Sequence, residues 1–209
     1  MKSSILRSGV ALACALGLAA CGGGDGDLPL SGNVYGVSKD GVPVQLTKAK
    51  GDLVLQNNGG DDTVVPAPYT QFAFSKNVST DDEFNITVKE WPSNIEKCEV
   101  NNPKARANYY TVQQISVICT VKSHKLVVSI SNLTSDGLVL VNGTDRQTVP
   151  AGKTSVEMAS VSEGSPYGVT VLTNPTKPNV QVCTVSKGSG IMGDTDSIGT
   201  VEVTCASGT

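Results

Sequence analysis

The stretch Gly51-Asp52-Leu53-Val54-Leu55 returns as Asp136-Gly137-Leu138-Val139-Leu140, with the shared Leu-Val-Leu displaced by 85 residues. Working outward, Phe84-Asn85-Ile86-Thr87-Val88 returns as Tyr167-Gly168-Val169-Thr170-Val171 at an offset of 83, and Trp91-Pro92 falls on Asn174-Pro175 at the same offset. Cys98-Glu99-Val100 and Cys183-Thr184-Val185 lie 85 apart, Cys119 and Cys205 86 apart. Self-similarity at a fixed period is the signature of a repeat architecture. The small drift is what loop insertions produce, and Pro175 to Asn179 form a Pro-rich loop. The chain therefore reads as two homologous modules of about 85 residues, 31–120 and 121–209, joined near Thr120 to Ser123.

Each module reads as β. Phe72-Ala73-Phe74, Phe84 to Val88, Leu126 to Ile130, Val169 to Val171 and Val201 to Val203 carry the period of two of half-buried strands, and no long stretch keeps helical spacing. Lys39-Asp40-Gly41, Asn57-Asn58-Gly59-Gly60, Asn142-Gly143 and Lys187-Gly188-Ser189-Gly190 supply residues that accept positive φ and separate the strands. About seven short strands per module match an immunoglobulin-like sandwich, so the expected fold is all-β with two tandem immunoglobulin-like β-sandwich modules. With aromatics at 4%, the core is expected to be Val, Leu and Ile rather than large rings.

The N-terminus gives an address. Lys2 and Arg7 make a positive start, Gly9 to Ala20 supply an apolar run, and Leu18-Ala19-Ala20-Cys21 closes it with small residues before a cysteine. That run is shorter than the roughly 20 apolar residues of a spanning helix. These residues resemble the signal and lipobox of bacterial lipoproteins. The resemblance implies removal of residues 1–20, lipid attachment at Cys21, and a lipidated flexible tether over 21–30 built on Gly22-Gly23-Gly24-Asp25-Gly26-Asp27. Several acyl chains make a stable anchor where one does not. By the sorting rule of that class, Gly22 in place of Asp implies the outer membrane. The alternative is ordinary secretory cleavage near Ala20.

Loss of Lys2 and Arg7 leaves 14 basic against 19 acidic residues, a net charge of about −5. Nucleic acid and anionic lipid surfaces are poor partners, since both are bound mainly through clustered Lys and Arg and no basic block exists, so no nucleic acid is expected. Cys14 leaves with the signal and Cys21 takes the lipid, so Cys98, Cys119, Cys183 and Cys205 remain. An even set in an exported chain reads as disulfides with three possible pairings, of which pairing inside each repeat is the economical one. Zinc would need CxxC pairs or more histidine than His124 alone.

Catalytic signatures are sparse. His124 lies between Lys122 and Lys125 and reads as a solvated junction residue rather than a general base. Gly188-Ser189-Gly190-Ile191-Met192-Gly193 spells GxGxxG without the strand and helix of a dinucleotide site, and reads as a flexible hairpin loop. Acidic clusters at Asp61-Asp62, Asp81-Asp82-Glu83 and Asp194-Thr195-Asp196 are turn residues first; carboxylate-dependent hydrolysis, and calcium at Asp194 and Asp196, are the competing readings. The sequons at Asn77, Asn85, Asn132 and Asn142 carry little weight behind a bacterial export signal. No catalytic residue, metal or cofactor is expected.

Leu-Val-Leu-Gln-Asn-Asn-Gly-Gly-Asp, Phe-x-Phe, an aromatic-x-Val/Ile-Thr-Val, Pro, Cys-x-Val and a closing Val-x-Val-x-Cys resemble tandem β-rich modules of exported Gram-negative lipoproteins, over residues 31 to 206. That resemblance implies disulfide-stapled modules without established catalysis. The second copy departs from it, with one Asn-Gly in Val141 to Asp145 where the first has Asn57-Asn58-Gly59-Gly60. The leading expectation is a non-enzymatic, membrane-anchored envelope lipoprotein with a structural or binding role toward an envelope protein or glycan. A glycan-binding or adhesive surface module is the alternative. The candidate binding residues are Trp91, Arg106, Tyr109 and Tyr110, taken as one patch of the first module, because exposed aromatics and arginine dominate interface energetics.

Overall fold

The computed structural model describes residues 28–46 and 50–208; residues 1–27, with the expected signal, Cys21 and most of the expected tether, lie outside this range. In the first module the strands are β1 (Ser31–Val37), β2 (Pro43–Val44), β3 (Leu53–Asn57), β4 (Asp61–Val65), β5 (Gln71–Ala73), β6 (Glu83–Glu90), β7 (Ile95–Asn101), β8 (Lys104–Arg106) and β9 (Ile115–Val121). The second module contains β10 (Ser123–Ser131), β11 (Leu138–Asn142), β12 (Asp145–Val149), β13 (Ser155–Ser162), β14 (Pro166–Thr173), β15 (Gln181–Ser186), β16 (Ser189–Ile191) and β17 (Ser197–Ser207). One 3-10 turn, Thr111–Gln113, precedes β9. Among the described residues no helix is long and apolar enough to cross a membrane.

Both modules are immunoglobulin-like sandwiches built on one plan. One sheet runs β2-β1-β9-β7, with β5 also paired to β1, and faces a sheet ordered β4-β3-β6-β8. The second module repeats this as β13-β10-β17-β15 against β12-β11-β14-β16. In each, the first and last strands pair in parallel, β1 with β9 and β10 with β17, while the other pairings are antiparallel. The strand count exceeds seven because two- and three-residue strands such as β2, β8 and β16 complete the edges.

The alternation seen in the sequence is the burial pattern. Along β9, Ile115, Val117, Cys119 and Val121 are buried and the intervening residues are not; Leu126, Val128 and Ile130 do the same in β10. Two separate cores result. That of the second module is aliphatic, with Leu126, Leu138, Leu140, Val201 and Met192 among its residues. That of the first departs from expectation: Phe72, Phe74 and Phe84, the three phenylalanines of the chain, all lie in it. Phe72 and Phe74 meet edge to face with centroids 5.9 Å apart.

Cys98 is bonded to Cys119 and Cys183 to Cys205, each pair directly opposed across neighbouring strands, β7–β9 and β15–β17. The GxGxxG segment is not a flexible loop. Ser189–Ile191 is a strand, with Tyr167 opposite Gly190 and Gly168 opposite Ser189. Gly190 is held there by space, because a Cβ would meet the Tyr167 hydroxyl.

Candidate functional site

Two constellations carry the chemistry that the sequence singled out, and they lie at opposite ends of the first module. The first is the loop from β8 to β9. Asp81 N–H donates to the Ala107 carbonyl and Ala107 N–H to that of Asp82, which fixes the loop beside the start of β6. Asn108 Oδ1 then accepts from the N–H groups of Tyr110 and Thr111 at 2.9 and 3.0 Å, and Thr111 Oγ1 donates to the Arg106 carbonyl at 2.8 Å. Buried Val112 anchors the 3-10 turn that leads into β9. With the backbone so held, Tyr109 and Tyr110 project outward, 67% and 72% exposed, with ring centroids 5.5 Å apart and planes at 84°. Arg106 donates to the Asp81 carbonyl at 3.2 Å and lies 3.7 Å from Glu83.

Trp91 is 44% exposed, but it stands beyond the other end of β6. The eight residues of that strand separate it from the tyrosines by roughly 25 Å. The expected single patch of Trp91, Arg106, Tyr109 and Tyr110 therefore divides: the structure brings Arg106 and the two tyrosines together and leaves Trp91 at the other end of the module, where Ser93 N–H donates to the Lys50 carbonyl. The reason is topological, since β8 runs antiparallel to β6 with Arg106 opposite Glu83, carrying the tyrosine loop back to where β6 began.

The second constellation is that junction. A single residue, Lys122, separates β9 from β10, and its N–H donates to the Asn94 carbonyl while its own carbonyl accepts from Glu163 N–H. Lys50 Nζ lies 2.7 Å from Asp194 Oδ2 and 3.2 Å from Glu163 Oε1. The Asp194 hydrogen bond, then that of Glu163, raises the Lys50 pKa above its ordinary value, and Lys50 in turn lowers that of Asp194. Asp196 Oδ1 accepts from the Lys125 N–H at 2.9 Å.

His124 is not solvated. Its side chain is 16% exposed, with Nε2 3.7 Å from Glu163 and Nδ1 3.8 Å from Asp196. Carboxylates brought from 39 and 72 residues away surround it, while neighbouring Lys125 turns toward Glu157. Asp194 and Asp196 face different partners instead of converging on one cation. Among the described residues no group of three or more His, Cys, Asp or Glu is placed to hold a metal. The other acidic clusters are also engaged: Asp62 with Lys89 and Gln56, Asp82 with the Ser79 N–H, Glu83 near Arg106.

Sequence reasoning passed over Lys50 and Glu163. Neither stands in a motif, and no repeat match marks them; the offset instead relates the loops that follow β8 and β16. At an offset of 85, Ala107 falls on Met192, Tyr109 on Asp194 and Thr111 on Asp196. The hydrogen bonds agree: Gly164 N–H donates to the Met192 carbonyl and Met192 N–H to that of Ser165, as Asp81, Ala107 and Asp82 do in the first module.

No known protein-family profile matches the chain. No curated protein matches it either. Among solved structures it is similar to the Bacillus anthracis TIE protein, at 8% identity and a TM-score of 0.42, over 86% of this chain and 34% of that one. It thus spans about a third of that protein's length. It is also similar to the C-terminal fragment of the pilus adhesin SpaC from Lactobacillus rhamnosus GG, at 10% identity and a TM-score of 0.35, over 84% of this chain and 95% of that one. A single B repeat unit of the collagen binding surface protein of Staphylococcus aureus gives 13% identity and a TM-score of 0.28, over 88% and 100% of the two chains.

Proposed function

We propose that this chain is a non-enzymatic lipoprotein of the Gram-negative outer membrane, tethered through Cys21, in which two sandwiches in series act as a spacer. The anchor rests on the Leu18-Ala19-Ala20-Cys21 sequence, and the observation that carries the spacer is the junction. One connecting residue, a carbonyl-to-amide exchange through Lys122, and the Lys50–Asp194 and Lys50–Glu163 pairs join the C-terminal end of the first module to the N-terminal end of the second. The chain enters at the opposite end, where Leu28 pairs with Val78. The loops at 132–137, 150–154 and 174–180 then stand roughly 60 Å from that entry, two strand lengths away. Acidic residues are engaged by lysines and backbone amides: Asp62 by Lys89, Asp194 by Lys50, and Asp196 by the Lys125 N–H. A glycan or envelope protein remains the partner class for the exposed loops. Metabolic labelling with a radioactive fatty acid tests the anchor: wild type is expected to label and fractionate with membranes, and Cys21→Ala to lose the label and be released. Continued membrane fractionation of an unlabelled Cys21→Ala protein overturns the reading.

A further inference from the structure

The repeat makes the two β8–β9-type loops comparable, and in the second module the contacts of that loop define its role. Met192–Asp196 faces the body that precedes its module: Asp194 binds Lys50 of the first sandwich, and Asp196 holds the Lys125 amide at the connection. In the first module the same place is taken by Ala107–Thr111, with Tyr109 where Asp194 stands. Ala107 is buried, but Tyr109 and Tyr110 are the most exposed aromatics among the described residues. The chain itself settles which segment precedes this module. Leu28 exchanges hydrogen bonds with Val78, three residues before Asp81, which itself donates to Ala107. Cys21 stands seven residues before Leu28 in the sequence, and seven residues reach at most about 25 Å, so a lipid on Cys21 would keep this end of the fold within that distance of its bilayer.

We propose that Tyr109 and Tyr110 seat the first module on the headgroup layer of the bilayer that holds the Cys21 lipid, the membrane taking the place that the first sandwich takes for the second. This rests on the lipoprotein reading. The chemistry is that of amphipathic rings at a membrane interface, apolar faces toward the acyl boundary and hydroxyls toward water. Charge does not drive it. Lys104 and Arg106 are balanced by Asp81, Asp82 and Glu83 at the same end, so the surface suits zwitterionic lipid and its contact is insensitive to salt.

The test uses the mature lipidated protein with Tyr110→Trp in a Trp91→Phe background, reconstituted into phosphatidylcholine vesicles brominated near the headgroup end of the acyl chains. Mass spectrometry of the same sample verifies the lipid on Cys21. The expected result is a blue shift and loss of most of the indole emission in brominated vesicles, unchanged by added salt, with Tyr109→Trp behaving alike. Full emission with Cys21 lipidated overturns the proposal and leaves the anchor standing. Emission lost only on raising protein density, with or without bromine, assigns the surface to a second copy and also overturns it. A sample without lipid on Cys21 removes the bilayer as occupant and the lipoprotein reading together.

Discussion

Lys50 Nζ of the first sandwich and Asp194 Oδ2 of the second lie 2.7 Å apart, across a boundary that the backbone crosses with one residue. The two side chains are 50% and 65% exposed, so water and salt screen the pair and its contribution is to orientation more than to stability. Glu163, at 10% exposure and 3.2 Å from the same Nζ, gives it a fixed base.

The pH dependence of this junction is set by the two shifts. Asp194 is lowered in the folded protein, so its contribution is complete above the ordinary carboxylate value of 3.8 and is lost as pH falls through the still lower folded value. Lys50 is raised, so its contribution is complete below 10.5 and is lost as pH rises through the higher folded value. The pair is therefore expected to persist across the whole neutral range. A carbon-detected titration of the Asp194 carboxyl should show a midpoint below 3.8 that returns toward it in Lys50→Met; identical midpoints in both proteins would contradict the contact.

The separation of the cores makes the modules separable in stability. Phe84, fully buried in the first, should cost about 3–5 kcal/mol on replacement by Ala, and Leu140, fully buried in the second, about 2–5 kcal/mol. Trp91 is the single tryptophan and directly follows β6 of the first module, so its fluorescence reports chiefly that module while circular dichroism reports both. Phe84→Ala is expected to move the Trp91 transition to lower denaturant, and Leu140→Ala to leave it nearly in place. Equal displacement of that transition by both variants would show that the modules unfold as one unit.

Much of this fold was legible. The Leu-Val-Leu repeat placed two modules, and alternation in Ile115 to Val121 placed a half-buried strand because a pleated chain turns successive side chains to opposite faces. Short strands without that signature were not legible. Ser189–Ile191 carries Gly190 and has little intrinsic strand preference; it pairs because the chain passes the Pro166–Gly168 edge after leaving β15. The environment of His124 was hidden for another reason. Its local sequence advertises Lys122 and Lys125, whereas Glu163 and Asp196 reach it only through the register of β10 with β13 and β17. The division of Trp91 from the tyrosines likewise depends on the β6–β8 register, which residue types alone do not determine.

Both disulfides join opposed strands within one module. Cutting the peptide between Lys122 and Ser123 should therefore give two fragments on a denaturing gel run without reductant. Denaturant is needed because the junction contacts would otherwise hold the fragments. Fragments that stay linked until reduced would refute this connectivity. Replacing Cys98 and Cys119 together by Ala should cost about 3 kcal/mol, the chain-entropy contribution of a loop this size.

Asn108 makes a separable contribution to the presentation of the tyrosines. Asn108 Oδ1 accepts two backbone N–H groups, from Tyr110 and Thr111, and so ties the loop at the N-cap and first residue of the 3-10 turn. Asn108→Ala removes both bonds, at about 1 kcal/mol each less what water returns at this exposed site. Asn108→Asp keeps both, since a carboxylate oxygen accepts where the amide oxygen did. Hydrogen exchange at the Tyr110 and Thr111 amides is expected to accelerate strongly in Asn108→Ala and to stay near wild type in Asn108→Asp, with the β9 amides unchanged in both. Equal acceleration in the two variants would show that the amide NH2 or packing, rather than the acceptor oxygen, holds the loop.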